Sequence, residues 1–255
     1  MIPLRDDVPS RSFPFVNITL ILANVFVFMM ELGMGARLDR FIFRAGVIPA
    51  LYTGPRGTLG PLEFVLSVLD PALDSRILVS MFLHGGWAHL LGNMLYLWIF
   101  GDNVEDRMGH LRYLVFYLIV GWGATYTHIL VEPASQIPSI GASGAIAGVL
   151  GAYCVLYPRA RVVVALPPPL LFFFPLFQVP AVIVLGFWFL QQFILGSLSL
   201  LSGPGGTGGV AWGAHVGGFL LGLALVGFFQ KPTRRPASRD LWWAERERGR
   251  RPRGW

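Results

Sequence analysis

Long apolar runs separated by short polar loops constrain this chain more than any other feature of its sequence. A transmembrane helix needs roughly 20 mostly apolar residues, and six stretches of the chain are candidates. They cover approximately residues 13–32, 77–100, 111–131, 143–156, 179–196 and 210–229. Only 13% of the 255 residues are charged, whereas a soluble domain carries about 25%. Because so few charges could not cover a soluble core, the sequence predicts an all-α polytopic membrane protein with a bundle of six transmembrane helices.

The six runs divide the chain into three parts. Residues 1–12 form an N-terminal segment, residues 13–230 form the six-helix domain, and residues 231–255 form a basic tail. The first outside loop, at about 33–76, is long, and its aromatic and glycine content favours partial packing at the membrane interface. The apolar stretch 166–175 holds four prolines. Since proline disrupts the helical hydrogen bonding that lipid demands, we expect an interfacial loop there.

The distribution of positive charge predicts the orientation of the chain. The net charge is +6, and nine of the 20 Lys and Arg residues follow Phe229. If the N-terminus is inside, the inner segments carry fifteen Lys and Arg residues and the outer loops carry five, so both termini are expected in the cytoplasm. A basic tail beside the last span is typical of contact with anionic lipids rather than nucleic acid. The N-terminal segment resembles neither a signal peptide nor a transit peptide, so we expect a bacterial plasma (inner) membrane.

The tetrapeptide Gly141-Ala142-Ser143-Gly144 ends a charge-free loop and opens the fourth apolar run. A serine in this place can be the N-cap of a helix, and the glycines can serve helix packing alone. The catalytic alternative makes Ser143 a nucleophile. In that case Gly141 lets a substrate carbonyl approach the backbone, where N–H groups at the helix start stabilise an oxyanion.

His215 lies five residues into the last apolar run, roughly 7–8 Å from its outer end at 1.5 Å per residue. Ser143 also begins its run from the outside, so the two side chains lie in the same half of the membrane. An imidazole in a membrane helix needs a polar partner, which can be a neighbouring helix or this serine. Small residues continue below each side chain and would allow close helix contact: Ala147 and Gly151 on one helix, Gly218 and Gly222 on the other.

A neutral imidazole at hydrogen-bond distance activates a serine hydroxyl. No Asp or Glu lies between Glu132 and Asp240, and the spans offer no acid at the right depth. The sequence therefore predicts a Ser143–His215 dyad without a carboxylate, in contrast to a Ser-His-Asp triad.

The second apolar run carries His84, His89 and Asn93. His89 and Asn93 are four residues apart and share one helix face, where an imidazole N–H and an amide N–H could donate to an oxyanion. A metal site is the other interpretation of the paired histidines. No Cys or carboxylate lies nearby and the HExxH pattern is absent, which argues against it. We predict His89 and Asn93 as oxyanion-stabilising residues, no metal, and no assigned role for His84.

Taken together, these elements resemble the rhomboid family of intramembrane serine proteases. The HxxxN pattern of the family corresponds to His89 and Asn93, its GxSG to residues 141–144, and its AHxxGxxxG to residues 214–222. The three patterns occur in the family's order and on the expected spans, so the resemblance covers about residues 13–229.

The resemblance implies a serine endopeptidase that cleaves transmembrane protein substrates near the outer membrane face. It implies Ser143 as nucleophile, His215 as base and then acid, and an oxyanion hole formed by the Ser143 N–H, His89 and Asn93. It also implies a membrane-embedded first loop, a lateral substrate gate at the fifth span, and no cofactor. Natural substrate and oligomeric state stay open.

The sequence departs from the family pattern at Ser75, where a Trp often precedes the residue equivalent to Arg76, and this affects the packing of the first loop. Glu105 and Arg107 fit a family pattern and are expected to form a structural contact on the inside. A catalytically inactive relative that binds membrane clients is the alternative, but such relatives lack the Ser or the His. A channel or transporter would need pathway charges within the spans, which carry almost none.

Overall fold

The computed structural model describes residues 1–53, 71–166, 176–201 and 210–231, which fold mainly into helices. The first helices are α1 (Phe15–Leu32), α2 (Leu38–Ala45), α3 (Pro49–Thr53), α4 (Pro71–Ser80) and α5 (Trp87–Met108). They are followed by α6 (His110–Val131), α7 (Ser143–Leu156), α8 (Ala181–Leu201) and α9 (Trp212–Phe229). The short strands are β1 (Ile2–Asp6), β2 (Arg161–Ala165) and β3 (Phe177–Pro180). The prolines 167–169 and 175 of the predicted interfacial loop, and the tail from residue 232, lie outside the described residues.

Four of the described helices, α1, α6, α8 and α9, are long and apolar enough to cross a membrane. Helix α7 is apolar but has only 14 residues, and it has the predicted bounds of the fourth run, 143–156. It is buried over most of its length because α5, α6 and α9 pack around it. The structure therefore supports a mainly helical membrane protein, and the number of six spans stays a prediction.

The second apolar run, 77–100, was wrongly predicted to be one continuous helix. Helix α4 ends at Ser80, a turn follows, and α5 begins at Trp87. The break occurs at Gly86, whose φ of +152° is one that residues with a side chain rarely adopt. The turn separates His84 from the helix that carries His89 and Asn93.

Glu105 and Arg107 make the expected structural contact near the end of α5. The carboxylate of Glu105 accepts hydrogen bonds from the backbone N–H groups of Val16 and Asn17 at 3.0 and 2.7 Å. These N–H groups belong to the first turn of α1 and have no acceptor within that helix. The carbonyl of Arg107 accepts the N–H of Lys231 at 2.8 Å. The start of α1 and the second residue after α9 therefore lie at the same end of the bundle, and the cytoplasmic location of that end stays a prediction.

The all-α prediction is wrong in one respect, because the three strands form an antiparallel sheet in the order β1-β2-β3. In β2, Val162 and Val164 are fully buried while their neighbours are partly exposed, the alternation that β-branched residues favour in strands. Asp6 in β1 accepts hydrogen bonds from the Tyr153 hydroxyl at 2.5 Å and the Asn103 amide at 2.9 Å. The N-terminal segment is therefore attached to the bundle, a contact that counting its charges could not predict.

The described part of the long loop after α1 packs against α4 and α6 and against the segment that leads into α7. Val47 and Tyr52 are fully buried in a cluster with Ile77 and Ile129. Val47 and Ser139 exchange backbone hydrogen bonds of 2.7 and 3.0 Å. These contacts fix the position of the segment before α7, the helix whose first residue is the predicted nucleophile.

Glycines bring α7 and α9 into backbone contact. A methyl group added to Gly218 would lie 2.1 Å from the carbonyl oxygen of Gly144. One added to Gly222 would lie 2.0 Å from the carbonyl oxygen of Gly148. Gly151 makes a similarly close approach one turn further along α7. The predicted close helix contact is confirmed at Gly151, Gly218 and Gly222, and small residues are required there because any side chain would separate the helices.

Candidate active site

Ser143 is the first residue of α7. Ala142, not Ser143, occupies the N-cap position, and no side chain caps this helix, so the capping alternative for the serine does not apply. The Ser143 hydroxyl Oγ instead lies 2.7 Å from Nε2 of His215. At this distance the hydroxyl can donate to a neutral imidazole. The backbone N–H of Ser143 belongs to the first helical turn, whose N–H groups have no acceptor within the helix.

His215 lies in the first turn of α9, three residues before Gly218 and therefore on the same face. The close approach of Gly218 to Gly144 brings the starts of the two helices together and sets the serine-to-imidazole distance. The rings of Trp188 and Trp212 have centroids 5.9 and 6.0 Å from that of the imidazole. These rings give His215 an aromatic environment.

The second imidazole nitrogen of His215 contacts an amide. Its Nδ1 lies 2.7 Å from Oε1 of Gln192 in α8, and since an amide oxygen only accepts, Nδ1 carries the proton. Nε2 then directs its lone pair at Ser143. The sequence patterns predicted a dyad without a carboxylate but not the contact with Gln192. The sequence nevertheless indicates such a contact. Gln191 and Gln192 interrupt an apolar run, and a buried amide in a membrane helix needs a polar partner.

His89 and Gly141 contact each other beside Ser143. Nδ1 of His89 accepts the N–H of Gly85 at 3.3 Å, so Nε2 carries the proton. A methyl group on Gly141 would lie 2.7 Å from that Nε2 and 3.7 Å from Oγ of Ser143. Gly141 also has a φ of +124°, which favours glycine. Its own N–H donates to the carbonyl of Ser80 at 2.8 Å, so Gly141 provides room at the site and its N–H is not a free oxyanion donor.

Asn93 lies one turn after His89 on the same face of α5 and is largely buried. Its amide Nδ2 donates to Nε2 of His84 at 3.0 Å, while Nδ1 of His84 donates to the carbonyl of Phe82 at 3.2 Å. The backbone N–H of His84 donates to the Glu31 carboxylate at 3.2 Å. One N–H of Asn93 is thus used to fix the amide, and the second remains as a donor.

His84 is, after Gln192, the second residue of the site whose contact the sequence patterns did not predict. His84 and Asn93 are nine positions apart, a separation that does not correspond to any helical repeat, so periodicity could not pair them. The paired glycines 85 and 86 were the available signal, since a break there allows residue 84 to fold back along α5. The site as a whole combines a hydroxyl, an adjacent neutral imidazole and N–H donors, a combination suited to acyl transfer.

Comparisons with known proteins agree with these features. A family model of the Rhomboid domain matches residues 74–231, a range that contains Ser143, His215, Gln192, His89 and Asn93. RHOMBOID-like protein 4 of Arabidopsis thaliana is 32% identical over 153 residues, which are 54% of this chain and 38% of that protein. Rhomboid protein 1, mitochondrial, of Saccharomyces cerevisiae is 28% identical over 179 residues, 67% of this chain and 46% of that protein.

A third relative, the presenilin-associated rhomboid-like protein, mitochondrial, of Bos taurus, is 32% identical over 107 residues. These are 41% of this chain and 28% of that protein. The chain therefore spans less than half the length of each of these three relatives.

Proposed function

Because the chain belongs to the rhomboid family, whose domain it matches over residues 74–231, we propose that it is an intramembrane serine endopeptidase. The observation that carries the proposal is the 2.7 Å separation of Ser143 Oγ and His215 Nε2. A serine hydroxyl becomes an effective nucleophile when a neighbouring base takes its proton. The proton on Nδ1 leaves Nε2 free to be that base.

The proposed reaction has two stages. Ser143 Oγ attacks the carbonyl carbon of the scissile peptide bond while its proton passes to Nε2 of His215. His215 then gives this proton to the leaving amine as the C–N bond breaks, which leaves an ester between substrate and serine. A water molecule then attacks the ester carbonyl while its proton passes to Nε2 of His215, and His215 gives this proton to Ser143 Oγ as the C–Oγ bond breaks, which releases the carboxylic product and restores the serine hydroxyl.

Negative charge develops on the substrate carbonyl oxygen in both stages. Three donors are proposed to stabilise it: the backbone N–H of Ser143, Nε2–H of His89 and the second Nδ2–H of Asn93. Donors that are fixed before the reaction stabilise the transition state most effectively. Asn93 is fixed by His84 at 3.0 Å and His89 by Gly85 at 3.3 Å.

We propose transmembrane proteins as substrates, entering from the lipid side beside α8. Phe187, Leu190 and Phe193 on this helix are exposed, whereas Gln192 turns inward to His215. Helix α8 is thus a single layer between the outside of the bundle and the base. The proposed location is a bacterial plasma membrane with both termini cytoplasmic. The charge bias supports the orientation, while two of the relatives compared carry "mitochondrial" in their names.

A purified membrane-anchored reporter tests the proposal. Wild type is expected to cleave it, and Ser143→Ala and His215→Ala are each expected to reduce the rate by about 10⁴-fold or more. Ser197→Ala is the matched control, because that hydroxyl only bonds to Phe193 O within α8. Mass spectrometry of the products locates the cleaved bond.

Two outcomes would contradict the proposal. Cleavage that persists in Ser143→Ala would exclude this serine as nucleophile. Stable binding of the reporter by wild type, without cleavage of any membrane-anchored sequence tested, would favour the client-binding alternative. A fluorophosphonate probe that labels wild type and Ser197→Ala but not Ser143→Ala would identify the reactive serine independently of substrate choice.

A further inference from the structure

Helix α8 has one buried polar side chain facing the site. The residues of α8 that are buried are Ala181, Val184, Leu185 and Gln192. The first three lie in the half next to β3, and most other side chains of the helix are partly or fully exposed. Gln192 is therefore the buried contact of α8 at the level of His215. A buried amide within a membrane helix is expected to have a specific partner, and here the partner is the imidazole at 2.7 Å.

The direction of this hydrogen bond determines which nitrogen of His215 is protonated. Gln192 presents Oε1 to Nδ1, so the imidazole must hold its proton on Nδ1 and its lone pair on Nε2. Only this tautomer can accept the proton of Ser143. In the other tautomer, Nε2–H would point at the hydroxyl and the base would be absent.

We propose that Gln192 is the positioning residue of His215, serving as the neutral counterpart of the acid in a Ser-His-Asp triad. This inference rests on the proposed protease function and extends it by assigning a third residue. Gln192 touches neither the nucleophile nor the scissile bond in the proposed reaction. It acts through His215 by selecting the tautomer and fixing the ring.

The location of Gln192 links this orientation to the packing of α8. One turn before Gln192, Trp188 and Phe189 lie against Phe219 of α9, with ring centroids 6.2 and 4.8 Å apart. If α8 moves away from α9, the Gln192–His215 bond is broken together with these ring contacts. The orientation of His215 by Gln192 therefore depends on the packing of α8 against α9.

Gln192→Leu tests the inference, since leucine has similar bulk and no acceptor. We expect kcat to fall on the order of 10²-fold, a smaller loss than the roughly 10⁴-fold that follows replacement of a triad Asp. KM is expected to change less than about threefold, because no substrate contact is lost. Gln192→Glu keeps an acceptor at the same reach and is expected to retain activity within about tenfold of wild type. Gln191→Leu is the matched control, because this neighbouring amide is exposed on the same helix.

A spectroscopic measurement separates positioning from packing. Nitrogen-15 NMR of histidine-labelled protein at about pH 8, where imidazoles are ordinarily neutral, reports the tautomer of His215, assigned by its absence in His215→Ala. We expect Nδ1–H in wild type, Gln191→Leu and Gln192→Glu, and loss of that signature in Gln192→Leu. An unchanged tautomer in Gln192→Leu, or full activity of that variant, would overturn the inference.

These results also distinguish failure of the inference from failure of the function. If Ser143→Ala and His215→Ala abolish cleavage but Gln192→Leu does not reduce kcat, the protease function stands and the role of Gln192 is refuted. If Ser143→Ala still cleaves the reporter, the proposed function itself is refuted, whatever the tautomer of His215.

Discussion

Replacing Gly218 by alanine tests whether backbone contact between α7 and α9 sets the geometry of the active site. The added methyl group would lie 2.1 Å from the carbonyl oxygen of Gly144, and ordinary van der Waals contact needs about 3.4 Å. The helices must therefore separate locally by about 1.3 Å. Both atoms are backbone or Cβ atoms, so no side-chain rotation can relieve the contact.

The separation acts directly on the proposed catalytic pair, Ser143 and His215. Gly144 follows Ser143, and Gly218 lies one turn after His215. A local displacement of this size would lengthen the 2.7 Å Oγ–Nε2 distance beyond hydrogen-bond range. Since a misplacement of about 1 Å can cost about 10²-fold in rate, we expect Gly218→Ala to lose at least that factor in kcat. Overpacking typically costs about 1–3 kcal/mol of stability, so the protein is expected to remain folded.

The assay is cleavage of the membrane-anchored reporter, with thermal unfolding and size-exclusion chromatography as measures of folding. Gly227→Ala is the matched control, because the same methyl group on the same helix meets nothing within 4 Å. Activity of folded Gly218→Ala within about threefold of wild type would refute the reasoning. Equal losses in both variants would also refute it, since they would indicate a general effect on α9.

Two further predictions concern the oxyanion donor and the N-terminal strand. Asn93→Ala is expected to lower kcat by about 10²–10³-fold in protein that still folds, because one oxyanion donor is lost. A rate equal to wild type would remove Asn93 from the site. Burial raises the pKa of Asp6 above 3.8, and the Tyr153 hydrogen bond offsets this only in part. Docking of β1 is therefore strongest below pH 3.8 and weakens as the pH rises through the raised pKa. Hydrogen exchange of the β1 amides, corrected for intrinsic rates, should show this in wild type and not in Asp6→Asn; identical profiles would contradict it.

The Rhomboid match and the helices of the structure agree with what local patterns predicted. Apolar length and the scarcity of charge predicted a helical membrane protein, because lipid requires each span to satisfy its own backbone. The bounds of α7 follow from the glycine-serine loop before it and the Tyr157-Pro158 pair after it. By contrast, the break at Gly86 was hidden, because hydropathy does not distinguish a continuous helix from an apolar turn.

The sequence by itself determined the residue types available for chemistry: Ser143, His215, His89 and Asn93 in the patterns of one family, and no acid between Glu132 and Asp240. It could not determine the partners of these residues, because each partner lies on a different element. Gln192 reaches His215 from α8 and His84 reaches Asn93 across a turn. Such contacts depend on how closely helices pack, which here is decided by glycines whose backbone atoms touch. Only the tertiary structure could show that His215, the proposed base, has a neutral amide where a triad would have an acid.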